Sequence, residues 1–162
     1  MIATLPKQTD MAFRHVTKKV RCVDRKGARM ELGVGFAELD AILNRPLNHK
    51  LRLTGVLDIG SKGSSHEELC FVVECLREFD AEKMTRRSDA QLALLIFGEA
   101  QPLVKAKRVY EALNCKHDHF YQLAADKVIP LARRSAQRRG PGGSAVVEWS
   151  ALVAFITERR LA

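Results

Sequence analysis

Residues 105–130 read KAKRVYEALNCKHDHFYQLAADKVIP, and they hold two amphipathic runs separated by only three residues. Lys107 to Leu113 makes a helix of about two turns. His117 to Ala125 makes a second, with Phe120, Leu123 and Ala124 on one inward face. Helices this short do not survive alone, because each must repay a costly nucleus with very few hydrogen bonds. They must therefore pack across each other. Asn114 sits between them and tolerates the left-handed backbone of a tight turn. The spacing predicts a helix-turn-helix at a steep crossing, in which the second helix is presented outward and can enter a DNA major groove.

The chain after this pair continues in a defined order. Lys127-Val128-Ile129-Pro130-Leu131 reads as an extended exit. ARRSAQRRGPGG (132–143) has the composition of a strand running into a long turn, and Ala145-Val146-Val147-Glu148 returns as a strand. Trp149 leads into SALVAFITERRL, a helix with Leu152, Phe155 and Ile156 on one face. Helix, turn, helix, hairpin, helix is the order of a winged helix-turn-helix, with the hairpin as the wing.

Residues 103–161 resemble the excisionase-like winged helix-turn-helix family, which is related to the MerR-type DNA-binding domain. Val104, Val109, Leu113, Tyr121, Leu123, Ile129-Pro130 and the ALVAFITERR end stand where that family carries its pattern. The chain departs from it at several places. Arg108 replaces an acidic residue, Tyr110 an alanine, Asn114 a glycine and Lys116 the serine that caps the second helix. Lysine is a poor cap, so Asp118 is expected to supply the anion at that terminus. Tyr110 implies a wider helix crossing or an outward ring. The resemblance implies an α+β chain that ends in a winged helix-turn-helix, and double-stranded DNA as partner.

Charge agrees with that partner. The 162 residues carry 27 Lys and Arg against 19 Asp and Glu, a net +8. Residues 1–100 hold 16 basic and 14 acidic side chains, and residues 101–162 hold 11 against 5. The excess thus sits in the C-terminal third, where a polyanion would be met. Lys116, His117, His119 and Gln122 are expected on the exposed face of the second helix. Glutamine there can read adenine, and lysine can reach guanine or phosphate. Lys105, Lys107, Arg108 and Lys127 flank them. Arg133, Arg134, Arg138 and Arg139 lie in or beside the wing, suited to phosphate and minor-groove contact. Trp149 and Tyr121 are expected in the core.

The first hundred residues are less specific. Residues 1–15 read as a loose leader. Residues 16–36 suggest a β-hairpin, with Val20 and Cys22 on one side of Asp24-Arg25-Lys26-Gly27 and Met30, Leu32 and Val34 on the other. FAELDAIL (36–43) suggests a short helix, and LRLTGVLDIG (51–60) a strand. Ser65 and Glu68 fit a capping box that opens a helix over 65–79, with Leu69, Val72, Val73 and Leu76 on its buried face. GSKGSS lacks the phosphate-loop pattern, since Lys62 precedes its glycine. DAQLALLIF (89–97) suggests another helix. A soft boundary at 98–101 leaves 16–98 as an α+β region for dimerisation or a partner protein. Residues 101–162 are then the DNA-binding domain, expected to fold alone.

Cys22, Cys70, Cys75 and Cys115 lack CxxC spacing and read as reduced and mostly buried. Cys115, His117 and His119 lack a fourth metal ligand, and their alternate spacing splays them on a helix. No nucleophile–base pair is evident. The expectation is a cytoplasmic, non-enzymatic chain that needs no cofactor or metal, forms a homodimer or larger homo-oligomer, and does not engage a membrane. It would serve as a transcriptional regulator or a recombination directionality factor of a mobile element. A phage DNA-packaging or replication assembly module with the same DNA-binding head is the alternative.

Overall fold

A computed structural model describes residues 21–46, 48–61, 68–132 and 145–162. The leader, most of the GSKGSS loop and the tip of the expected wing, including Arg133, Arg134, Arg138 and Arg139, lie outside the described residues. The chain is a mixed α+β protein.

Its organising layer is a three-stranded antiparallel sheet, β1 (Cys22–Val23), β2 (Val56–Asp58) and β3 (Leu69–Val72), in the order β1-β3-β2. Val23 pairs with Phe71, and Leu57 with Cys70. Side chains alternate across a strand, and here both faces are covered. Cys22, Leu57, Cys70 and Val72 face one apolar cluster. Val23, Val56, Phe71 and Val73 face the other.

The second cluster is closed by three short helices, α1 (Arg25–Leu32), α2 (Phe36–Leu43) and α3 (Val73–Asp80), through Ala28, Leu39, Ile42, Leu76 and Phe79. The first is closed by the rest of the chain. Helix α4 (Asp89–Phe97) brings Leu92, Ile96 and Phe97. Helices α5 (Ala106–Ala112) and α6 (His117–Ala125) bring Val109, Phe120 and Leu123, and α7 (Trp149–Arg159) brings Leu152, Phe155 and Ile156. A two-stranded ladder, β4 (Leu103–Lys105) against β5 (Val146–Glu148), joins the start of α5 to the start of α7, with Val104 opposite Val147. The core therefore runs without a break across the expected boundary at 98–101.

The end of α7 ties the two regions together. The Leu161 amide donates to the Val56 carbonyl at 2.8 Å, and the Gly55 amide to Ala162 at 2.9 Å, so residues 160–162 lie along the outer edge of β2. Gly55 is needed at this crossing: its φ is +77°, and a Cβ there would stand 2.6 Å from Cys75 Sγ. The Arg159 guanidinium donates to the carbonyls of Asp58 and Gly60 at 3.3 and 3.0 Å. Arg160 reaches the Arg87 carbonyl at 2.9 Å and Asp89 at 3.0 Å.

Two expectations are overturned. In place of the hairpin over 16–36, whose residues 16–20 lie outside the described residues, the chain from 21 onward forms a two-residue strand followed by helix α1. Asp24 does not sit in a turn but caps α1, accepting from the Gly27 amide at 2.8 Å, and the helix then runs to the left-handed Gly33. Of the helix expected over 65–79, Ser65 and its cap lie outside the described residues, Leu69–Val72 is a strand, and a helix begins only at Val73. A strand buried on both faces reads as an unbroken apolar run, and LCFVV has no period that separates it from a helix. Helices at 36–43 and 89–97 stand as read. Helix α4 also has a capping box, Ser88 with Gln91, that the charged connector before it concealed. Among the described residues, no helix is long and apolar enough to cross a membrane.

Candidate nucleic-acid interface

Helices α5 and α6 meet through the turn Leu113–Lys116. Asn114 has φ +55°, the left-handed conformation expected of it, and the Cys115 amide donates to the Tyr110 carbonyl at 3.0 Å. Val109, Phe120 and Leu123 bury the inner faces. Tyr110 does not point out into solvent. It is half-buried over the turn, with its ring 5.6 Å from Phe120 and edge-on to His117 at 5.7 Å. Tyr121 completes this aromatic group, 5.2 Å from Phe120 and 4.6 Å from His117. Such contacts stiffen a helix pair too short to hold its own geometry.

The outer face carries most of the expected contact residues. Lys116, His117, Asp118 and Gln122 are exposed on or just before α6. Lys116 occupies the cap position and makes no side-chain capping bond. Asp118 lies in the first turn, as expected, with Oδ1 3.2 Å from His117 Nδ1. Gln122 donates to Asp126 at 3.1 Å, which orients its amide along the helix. Lys105, Lys107, Arg108 and Lys127 are exposed around the pair. Lys127 is not extended: it has φ +59° and begins the exit with a left-handed turn, while Val128 and Ile129 are buried behind it.

Two residues differ in role from their neighbours. His119 turns inward to the first sheet, with Nε2 2.5 Å from the Ile59 carbonyl and 3.2 Å from Glu68. A carbonyl only accepts, so Nε2 carries the proton. His119 is thus an anchor for α6, and only its rim faces solvent. Arg108 lies across the end of α4, where its guanidinium would stand 2.4 Å from a Cβ on residue 98. Gly98, at φ +85°, leaves room for it, and a cation suits the carbonyl end of a helix. Sequence reasoning missed both roles because each depends on how α5 and α6 pack against other elements.

The base of the expected wing is on the described residues. The Ala132 amide donates to the Val146 carbonyl at 2.8 Å, and the Ala106 amide to Ala145 at 2.9 Å. The chain therefore leaves and returns at one place, beside the start of α5. Trp149 is half-buried against the core there.

Burial pushes the Cys115 thiol up to about 12, and a hydrogen bond with Cys22 together with burial raises Cys70 well above the ordinary range. Among the described residues no group of three His, Cys, Asp or Glu side chains is arranged around a common metal position. No protein-family model matches the chain, and no curated protein or solved structure matches it.

Proposed function

We propose that the protein binds double-stranded DNA in a sequence-dependent way, with α6 reading the major groove and the Arg-rich 132–145 segment acting as a wing on phosphate. It would serve as a transcriptional regulator or a recombination directionality factor. The observation that carries this reading is the outer surface of the α5–turn–α6 pair. Lys105, Lys107, Arg108, Lys116 and Lys127 have no ion-pair partner among the described residues. They surround a helix that displays Gln122 and His117. Unneutralised cations grouped around a short presented helix suit a polyanion that is also read by its base edges. The hydrogen bond from the Ala132 amide to the Val146 carbonyl supports the wing reading, since it brings together the two ends of the segment that holds four arginines.

The test is selection from a random-sequence duplex library, followed by titration of the best binder against salt. Enrichment of a defined motif is expected, with affinity falling as salt rises at about 0.9 log units per log unit of salt for each phosphate contact. Gln122→Ala should then relax preference at particular base pairs, by ~1–3 kcal/mol if the contact is bidentate. Lys107→Ala should weaken all sequences alike. Affinity that is flat in salt would remove the DNA reading.

A further inference from the structure

Beside the turn that leads into α6 lies an open groove of about 610 Å³. One wall comes from the N-terminal half of the molecule, with Lys26 in the first turn of α1 and Phe36 at the start of α2. The other wall is Asn114-Cys115-Lys116, and Glu68 and His119 form part of the lining. Most of the charge here is already used. Asp24 caps α1 at 2.8 Å, Arg25 pairs with Asp40 at 2.6 Å, and Glu68 faces His119 at 3.2 Å. Lys26 and Lys116 remain, one on each wall, with no counterion among the described residues. Phe36 is 45% exposed, and the guanidinium groups of Arg25 and Arg29 sit over its ring at 5.3 and 4.9 Å. These contacts hold it in place as an apolar wall.

We propose that this groove seats a phosphodiester strand of the bound DNA, so that Lys26 carries the contact beyond the C-terminal third and into the N-terminal half. The inference rests on the DNA reading of α6. Sugar-phosphate strands border the groove a recognition helix enters, so backbone must pass close to the helix N-terminus. Here that terminus opens onto a channel with an unpaired ammonium on each side. A phosphate between Lys26 and Lys116 would neutralise both, and the Phe36 ring would lie against the adjoining deoxyribose. Asp24 and Glu68 are each oriented by a partner within the fold, and theirs is the repulsion that the Lys26 and Lys116 ammonium groups must outweigh.

The experiment uses the full chain, a short mixed-sequence duplex labelled with a fluorophore, and anisotropy titrations across a salt series. Lys26→Ala should bind several-fold more weakly at low salt, and its log–log salt slope should be shallower by about 0.9. Lys26→Arg should restore both. Lys83→Ala removes a lysine outside the groove and should change neither. Thermal melts check that all variants remain folded. A Lys26→Ala slope equal to that of the unaltered chain overturns the proposal while leaving the DNA reading of α6 intact. An unaltered chain that binds no duplex at all removes the DNA reading, and this proposal with it.

Discussion

The two sides of the first sheet treat their cations differently. On the N-terminal side the arginines are mostly committed. Arg25 pairs with Asp40, Arg77 with Glu31, and Arg87 holds both oxygens of Glu78 at 2.9 and 2.5 Å. Arg29 and Arg45 donate to the carbonyls of Val34 and Leu51 and stack on Phe36 and Phe79. In residues 101–132 the five described cations have no such partners. Arg108 alone leans on the fold, across Gly98. Charge that the fold does not neutralise raises its self-repulsion, and an anionic partner relieves it. The paired arginines of the N-terminal region thus spend their charge on structure, while Lys26 and the cations of residues 101–132 keep theirs available for contact.

The widest test of this contrast is to separate the regions. Burial unites them: Phe120, Val109 and Leu152 share one cluster with Cys22, Leu57 and Cys70. A fragment of residues 101–162 would expose that face, and each large apolar side chain so uncovered gives up roughly 1.5–3 kcal/mol. It also loses the His119–Ile59 anchor and the seat of residues 160–162 on β2. The fragment is expected to melt without cooperativity, measured by circular dichroism beside the intact chain. A sharp transition in the fragment would make the C-terminal third an autonomous module, as its own apolar set had suggested.

A narrower test compares single cations. Arg87→Ala leaves Glu78 half-buried without its donor, and should cost about 2 kcal/mol in urea unfolding. Lys107→Ala should stay within about 0.5 kcal/mol. Its effect belongs in DNA affinity, where Arg87→Ala should show none beyond its loss of folded protein. Equal stability effects for the two would erase the distinction between structural and contact charge.

The same contrast explains what the sequence made legible. Residues 105–130 could be read because local rules decide them. Asn114 sets the turn, Phe120 and Leu123 set the face, and the helix at 117–125 falls within its expected bounds. The segment 65–79 could not, since β3 gains its partners from residues 22–23 and 56–58. Pairing of that kind overrides any local preference. Asp24 was legible as a polar break but not as a helix cap, because turn and cap draw on the same side-chain chemistry. Within the candidate interface, the exposed residues of α6 were visible by spacing. The inward turn of His119 was not, because its partner lies 60 residues away. In the sequence Lys26 reads only as part of a turn, and its place opposite Lys116 depends on the tertiary fold.

The smallest expected effect is a pH dependence confined to the structural charges. The hydrogen bond from Arg87 holds the Glu78 carboxyl below the usual glutamate range. Asp89 is held low chiefly by the Thr157 hydroxyl, which donates to it at 2.7 Å, and further by Arg160. A carboxylate with a lower pKa in the folded state binds its proton more readily once unfolded. Its contribution is therefore complete above the unfolded values, about 4.3 for glutamate and 3.9 for aspartate. It disappears as pH falls from those values through the lowered folded ones. Unfolding free energy should thus decline on the acid side below about pH 5. Thr157→Val removes the larger influence on Asp89, so it should flatten part of that decline without moving the neutral-pH affinity for DNA. Lys116→Ala should leave the acid limb unchanged, since Lys116 pairs with no carboxylate among the described residues. Urea titrations of the three proteins across the acid range measure this. A Lys116→Ala limb as flat as that of Thr157→Val would mean that the α6 cations also hold the fold together, and the division between the two regions would fail.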